Sequence, residues 1–599
     1  MEPPSAFESS LHPPVFRWFV QEFGVPTEAQ ELCIPDIAKK QSVLLSSPTG
    51  SGKTLAGFLG ILDRLAREHD EGKLSPHGIR CVYVSPLRAL AYDIEKNLRQ
   101  PLEGLGLEEV VRVGLRTGDT SASERQKQRR KPPHILITTP ESLAIVLPQK
   151  GYREALSRCE FVIIDELHAF AENKRGVHLM VSLERLERIV AAPLCRIGLS
   201  ATVAPLSLVG DFLSGSGPRA HIREASAGRR AIIEVMTPLR KHAYPPAGYT
   251  ATRVISDMAR IVEGNRATLI FTNTRSGAER ISHRLKLALP DLNAQIECHH
   301  SSLDRDIRQE VEDRLKEGEL RAVVCSTSLE LGIDIGHIDT VIMVSTPKGI
   351  SRALQRVGRS GHSVHVVSHG VLVATNINDL IECIVCAKLT HLRELEPIST
   401  LDYAPDVVIQ HVVGMAMDDG MDPELGFETI RSSYPFRNLE RKTFDRILEY
   451  LEGGGRSLQK QYRDTFGKIV EKDGFYKTVS KKVEREYLVN IGTIHADGMV
   501  NVLLNRRRLG SVEERFIKGL KPGDIFVLAG KTVKLIESSP AEVIVENAAG
   551  RLPTVPSWNA NKMPLGSGIA QEVARLRTEV DRKLLVEEEP KEDIADWLV

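Results

Sequence analysis

Residues Ser42–Ala66 read SVLLSSPTGSGKTLAGFLGILDRLA, and this stretch decides the fold. A short apolar run, SVLLSS, gives way to a glycine loop and then to a segment with helical apolar spacing. Strand, glycine loop and helix in that order form a cradle for phosphates. Gly50 and Gly52 let the backbone turn its amides inward, and the helix N-terminus adds positive potential. Lys53 is placed to reach β- and γ-phosphates, and Thr54 to ligand Mg²⁺.

Working outward, CVYVS, HILITT, CEFVIID and CRIGLSA continue a series of apolar runs separated by amphipathic stretches. Continuous apolar strands alternating with helices predict a buried parallel sheet covered on both faces. A second series follows a Pro-containing connector, KHAYPPAGY: ATLIFTNT, NAQIECHH, RAVVCST, DTVIMVS and HGVLVAT. The fold class expected is therefore α/β with two tandem P-loop-type domains. After about Thr390, APDVVIQHVVGMAM and RKTFDRILEYLEGG predict a small helical unit with a β wing. From about Tyr487 the chain turns β-rich, before a helix over GIAQEVARLRTEVDRKLL. The boundaries read as 1–228, 229–390, 391–486 and 487–599.

The 599 residues carry 79 Lys+Arg against 79 Asp+Glu, so a polycation binding nucleic acid through bulk charge is excluded. A hydrophobic fraction of 42% excludes a mainly disordered chain. No apolar run reaches the roughly eighteen residues of a membrane span, and MEPPSAFESS lacks the features of a signal peptide. Eight cysteines set singly in apolar segments point to a reducing, cytoplasmic setting. Cys383 and Cys386 are one CxxC without a second, spaced as neighbours on an apolar helix, and read as core.

FVIIDELH places Asp165 and Glu166 just after a strand, as Mg²⁺-holding acid and general base for an attacking water. In the second α/β series, ALQRVGRSGH offers Gln355, Arg356 and Arg359, the last as an arginine finger toward a transferring phosphoryl group.

In order along the chain stand VPTEAQ, SPLRALAYD, RTGDT, TTPESL, DELH, LSATV, IFTNTRSGAER, STSLELGIDIG and QRVGRSGH. This set resembles the superfamily 2 DExH-box helicases. DELHAFAENKRGVHLMVSLERL and STSLELGIDIGHID resemble the large helicase-related (Lhr) family, and GSVEERFIKGLKPGDIFVLAG with PTVPSW resembles its ligase-associated branch. The resemblance covers the chain from about Phe16 onward. It implies two RecA-like lobes, a winged helix and a β-rich module that opens a fourth domain. It implies ATP and Mg²⁺ as cofactors and 3′-to-5′ movement along single-stranded DNA. DNA–DNA or RNA–DNA duplexes would be separated, with a repair nuclease or ligase as partner. Family members continue past the length seen here, so a C-terminally truncated chain is expected. By the same resemblance Gln30, Thr49, Gly50, Ser51, Gly52, Asp334 and Arg356 join Lys53 and Thr54 at the nucleotide. His362 stands where many relatives carry arginine. An RNA remodeller and a clamp without net movement remain the alternatives.

A tracked strand needs hydroxyls, amides and single cations beyond strand ends. The candidates are Arg88, Thr117, Thr139, Arg275 and Thr327. Trp558, on a stiff Pro-containing loop, either stacks on a base or plugs the β-rich core. Arg125–Lys131 is either a solvated helix end or a face toward the duplex, and Arg506–Arg508 should alternate sides along a strand. Ser200 and Thr202 of LSATV are expected to bond His168 and couple nucleotide state to the track.

Overall fold

The computed structural model describes residues 5–48, 50–225, 231–237, 252–330, 332, 335–361, 367–417, 419–454, 467–492, 498–539, 542–551, 553–556, 558 and 564–586. Thr49, Asp334, His362, the connector KHAYPPAGY and the last residues Trp597–Val599 lie outside them. By packing, the chain forms two units, Met1–Ala227 with Ile398–Ile494 and Gly228–Pro397 with His495–Val599. The four segments seen in the sequence are thus paired alternately, first with third and second with fourth.

The first unit is built on seven parallel strands, β1 (Val43–Ser46), β2 (Cys81–Val84), β3 (Val113–Arg116), β4 (Ile135–Thr138), β5 (Phe161–Ile164), β6 (Cys195–Ser200) and β7 (His221–Glu224). Their order is β3-β4-β2-β5-β6-β1-β7. Val43 and Leu45 enter one apolar core and Leu44 the other, so both faces are covered and the strands read as unbroken apolar runs. The winged-helix segment packs on this lobe. Its helices Pro405–Met415, Pro423–Ser432 and Arg441–Gly453 share a core with Val177 and Val181 of the lobe helix Lys174–Glu187. The wing is an antiparallel pair, β14 (Ile469–Lys472) and β15 (Phe475–Thr478).

In that seam His178 and His411 lie with ring centroids 4.5 Å apart. His411 Nε2–H donates to the His178 carbonyl (3.2 Å), and Arg185 donates to His411 Nδ1 (3.2 Å). Burial pushes His178 down to about 4; Arg185 adds to the depression and Glu141 opposes it.

The second unit holds six parallel strands, β8 (Ala231–Met236), β9 (Thr268–Thr272), β10 (Ile296–His299), β11 (Ala322–Cys325), β12 (Thr340–Val344) and β13 (Ser368–Val373), ordered β10-β11-β9-β12-β13-β8. The β-rich segment adds β16 (Met499–Leu504), β17 (Arg507–Glu513), β18 (Ile525–Leu528), β19 (Lys531–Ser538) and β20 (Glu542–Asn547), ordered β17-β16-β20-β19-β18. Leu303 of the lobe enters the core of this second sheet and bridges Gly510 in antiparallel fashion. A side chain at Gly510 would lie 2.5 Å from the Ser302 carbonyl oxygen, so only glycine permits the approach.

One carboxylate fastens this seam. Glu279, in the helix Arg275–Ala288, is fully buried and accepts the main-chain N–H groups of Ala529 (2.6 Å) and Gly530 (2.8 Å) in the β18–β19 turn. It also accepts His300 Nε2–H (3.0 Å), while His300 Nδ1 takes the Ser302 N–H (3.3 Å). Cys298 completes a cluster at metal-ligand reach, but the carboxylate already serves three N–H donors.

Two outcomes follow from these seams. Glu279→Ala leaves three buried donors without an acceptor, each worth about 1–3 kcal/mol, so stability should fall by about 3 kcal/mol or more in a denaturant melt. An unchanged midpoint would mean that the turn finds other acceptors. His178 titrates near 6.5 when unfolded but near 4 when folded, so the folded state prefers the neutral ring. Stability is intact above pH 6.5 and is lost, by up to about 3 kcal/mol, as pH falls toward 4. His178→Leu should flatten that limb of a melting-temperature-against-pH curve.

Candidate active site

All seven strands of the first sheet run the same way, so the loops after β1, β5 and β6, neighbours in the sheet, open on one edge. Gly50 (φ +75°) and Gly52 (φ +80°) take the left-handed turn the loop requires. A Cβ at Gly52 would lie 2.8 Å from Gln30 Nε2, so Gln30 braces the loop at close range. Gln30 Oε1 accepts the Thr27 N–H (2.9 Å), and the Thr27 hydroxyl donates to the Ser51 carbonyl (2.8 Å). Ser51 also donates to the Pro48 carbonyl (2.8 Å). Gly52 caps the helix Lys53–Asp70, whose first turn carries Lys53 and the half-buried Thr54 and no acid. Lys53 Nζ reaches the Ser200 carbonyl (3.4 Å) at the end of β6.

Asp165 and Glu166 follow β5 and are 5% and 4% exposed, so neither is a solvated loop acid. Asp165 Oδ1 accepts the Glu166 N–H (2.9 Å), and Oδ2 accepts the Tyr83 hydroxyl. Tyr83 is itself fixed by stacking on Phe58, with centroids 5.2 Å apart. Burial, and next the Glu166 charge, push Asp165 up to about 6; the Tyr83 hydrogen bond and Lys53 oppose the shift. Glu166 has φ +48°, an uncommon conformation for a side-chain-bearing residue and of the kind functional sites store. Tyr83 escaped the sequence reading. Its signal was a tyrosine amid an otherwise apolar strand, which needs a polar partner when buried.

His168 Nδ1 accepts the Ala201 N–H (3.3 Å) and lies 3.2 Å from Ser200 Oγ, so the DELH and LSATV segments meet there. Thr202 is half-buried two residues further on.

In the second unit Gln355, Arg356 and Arg359 sit at the end of the helix Ile350–Val357. Here one expectation is corrected. Arg356 was assigned to the nucleotide, yet it is fully buried, with Nη2 on Glu330 (3.1 Å), Nη1 on Asn273 (3.4 Å) and Cζ 5.0 Å from the Phe271 ring centroid. A desolvated guanidinium requires a carboxylate, and Glu330 supplies it, so Arg356 braces the lobe from inside. Glu330 also pairs with Arg352 (3.0 Å), and its carbonyl accepts Arg359 Nη2–H (2.9 Å). Gln355 and Arg359 are each 9% exposed.

Of the expected track residues, Arg88 is exposed and bonds Asp119 (2.6 Å). Thr117 and Thr139 lie at the ends of β3 and β4 but are buried; Thr117 Oγ1 accepts the Asp119 N–H and the Thr139 hydroxyl turns to Ser142. Thr327 is exposed. Arg275 is half-buried and donates to Ser302 Oγ (2.9 Å). Trp558 packs in the core of the β-rich sheet, edge-on to His300 at 5.4 Å. Of its two readings this is the core aromatic; in the conformation described the indole is not presented to a base. Arg506 sits with Asn505 in the β16–β17 turn, both at positive φ, and Arg507 and Arg508 at the start of β17 are both exposed, so the alternation expected across Arg506–Arg508 is not seen. Cys383 and Cys386 are buried on the helix Ile377–Leu392, and burial pushes the Cys386 thiol up to about 12, which suits core packing.

Known proteins match the chain along most of its length. Residues 27–208 match the DEAD/DEAH box helicase model, 253–363 the helicase conserved C-terminal domain, and 389–555 the winged helix domain of large helicase-related protein. The chain is 44% identical to ATP-dependent helicase Lhr-Core protein 2 of Thermococcus barophilus, over 96% of this chain and 68% of that one. It is 41% identical to ATP-dependent helicase Lhr-Core of Methanocaldococcus jannaschii, over 98% and 69%. The structure of Mycobacterium smegmatis helicase Lhr bound to ssDNA and AMP-PNP superposes with a TM-score of 0.74 at 36% identity, covering 83% of this chain and 64% of that one. The DNA-bound DUF1998 helicase MrfA shares the fold, with a TM-score of 0.69 at 22% identity over 90% and 73%. No helix among the described residues is long and apolar enough to cross a membrane. The chain belongs to the large helicase-related (Lhr) family of ATP-dependent helicases acting on nucleic acid.

Proposed function

We propose that this helicase moves 3′ to 5′ along single-stranded DNA and separates DNA–DNA or RNA–DNA duplexes, coupling each step to ATP hydrolysis. The observation that carries the proposal is the convergence of Lys53, Asp165, Glu166, His168 and Ser200 on one sheet edge. Single-stranded DNA and an ATP analogue in the Mycobacterium smegmatis relative support DNA over RNA as the loading strand. A place in DNA repair, beside a nuclease or ligase, rests on the resemblance to the ligase-associated branch.

In this reading the loop amides with Ser51 and Lys53 hold the phosphates, and Gln30 keeps the loop in shape. Glu166 orients and deprotonates the attacking water, and Arg359 of the second lobe, with Gln355, supplies positive and polar groups to the transferring phosphoryl. Thr54 and Asp165 offer hard oxygen ligands suited to Mg²⁺, and the crowded charge that holds Asp165 up is what a cation relieves. Thr54 and Asp165 would hold the ion, which would supply positive charge to offset the charge developing on the phosphates. Ser200, bonded to His168, lies on the strand that receives Lys53, so the phosphate end of the site and the LSATV loop move together.

ATP hydrolysis and strand displacement on matched DNA–DNA and DNA–RNA duplexes, with 3′ or 5′ tails of either sugar, test this. Displacement should require a 3′ DNA tail; an RNA-tail or 5′-tail requirement would overturn the proposal. Glu166→Gln should bind ATP yet hydrolyse it about 10²- to 10⁴-fold more slowly, and Lys53→Ala should lose the nucleotide. His168→Ala should keep ATP binding while displacing fewer base pairs per ATP consumed. Normal unwinding per ATP in that variant would sink the coupling role.

A further inference from the structure

Beside the RTGDT loop lies a group of donors that the nucleotide chemistry does not use. Arg116 closes β3 at the sheet edge and is 6% exposed, yet its Nη1 has no hydrogen-bond acceptor. Its guanidinium lies over the ring of Tyr152, with Cζ 5.8 Å from the centroid, and the Tyr152 hydroxyl, on a side chain 1% exposed, is also without a partner. Arg125, from the helix Ala122–Arg130, hydrogen-bonds the Gly118 carbonyl through Nη2 (2.9 Å), while its buried Nε is unpaired. Arg129 of the same helix is exposed.

Buried polar atoms are rarely left without partners, and three such donors on neighbouring side chains are a sign that a ligand is missing. Its charge is fixed by the surroundings. Arg125 and Arg129 are close enough to depress Arg116, after burial, and both also act on Tyr152. The nearby acids are engaged elsewhere: Asp119 with Arg88 (2.6 Å) and Glu124 with Lys127 (3.8 Å). Among the described residues no carboxylate pairs with Arg116, Arg125 or Arg129. Guanidinium, guanidinium and phenol donors without a counter-charge match an oxyanion, and Arg binds phosphate in a forked, directional way.

We propose that Arg116, Arg125, Arg129 and Tyr152 form a binding site for one backbone phosphate of the nucleic acid, next to Thr117. The site rests on the helicase reading above and adds to it Arg116 of the RTGDT loop, Tyr152, and two arginines of the Arg125–Lys131 run. Arg116 and Tyr152 form its floor. Arg125 is half-buried and held by its hydrogen bond to the Gly118 carbonyl, with its unpaired Nε left to serve the anion. Occupancy would also anchor the Gly118 loop, which carries Arg88's partner Asp119.

The experiment is DNA binding by fluorescence anisotropy over a salt series, for the full chain and for Arg116→Gln, Tyr152→Phe and Arg129→Gln, with melting curves alongside. Each phosphate contact contributes about 0.7 to the slope of log K against log salt on single strands and about 0.9 on duplex. Arg116→Gln and Arg129→Gln should each lose about that much slope, and Tyr152→Phe should weaken binding severalfold without lowering the melting temperature. Loss on single-stranded DNA alone assigns the site to the tracked strand; loss only when a duplex is present assigns it to the duplex. Unchanged slopes in a folded Arg116→Gln protein overturn the proposal. Should that variant fail to fold, unchanged binding by Tyr152→Phe and Arg129→Gln overturns it instead. A wild-type chain without salt-dependent DNA binding would refute the helicase reading itself, a distinguishable result.

Discussion

Two carboxylates buried side by side at the end of β5 repel one another, and much of the first lobe is arranged around that repulsion. Asp165 is tolerated because Tyr83 and a main-chain N–H each donate to it and because the Lys53 ammonium, reaching the end of the neighbouring strand β6, lowers its pKa. Tyr83 is held by Phe58, a residue of the helix that the phosphate loop opens, so the acid pair and the loop share one support. The cost of crowding like charges in low dielectric is what prepares the site for a cation and a polyphosphate.

The same economy of buried charge recurs in the second unit, with opposite sign. Arg356 needs Glu330, and Glu330 in turn gathers Arg352 through its carboxylate and Arg359 through its carbonyl. The helix Ile350–Val357 is therefore fixed in rotation, and Arg359 leaves its end from a defined point. Glu279 does for the β-rich sheet what Glu330 does for this helix, by accepting hydrogen bonds from a turn far away in sequence.

What the sequence disclosed follows from how local each feature is. The strand, glycine loop and helix around Lys53 are contiguous, so their order is their structure, and the alternation of apolar runs with helices carried both parallel sheets. DELH and LSATV meet because they end adjacent strands, which a doubly wound reading already implies. Tyr83, Glu330 and Glu279 were illegible because each is defined by a partner on a distant element, and no spacing encodes that. Arg356 sits one position from Gln355 and three from Arg359, yet the helix turns it inward; a motif gives positions, not directions. Trp558 carried two readings because Pro-flanked loops hold aromatics in cores and at surfaces alike. Arg506 was read along a strand when Asn505 and Arg506 make the turn itself.

The interleaved packing bears on how this molecule can be taken apart. Val177 and Val181 are covered by helices that begin more than two hundred residues later, and Leu303 by strands nearly as remote. A cut near Pro397 would strip both lobes of their apolar lids at once, and a cut near Ile494 would spare one and expose the other. Neither lobe is a detachable module in the ordinary sense; fragments bounded by the motif blocks alone would carry sticky faces and invite aggregation.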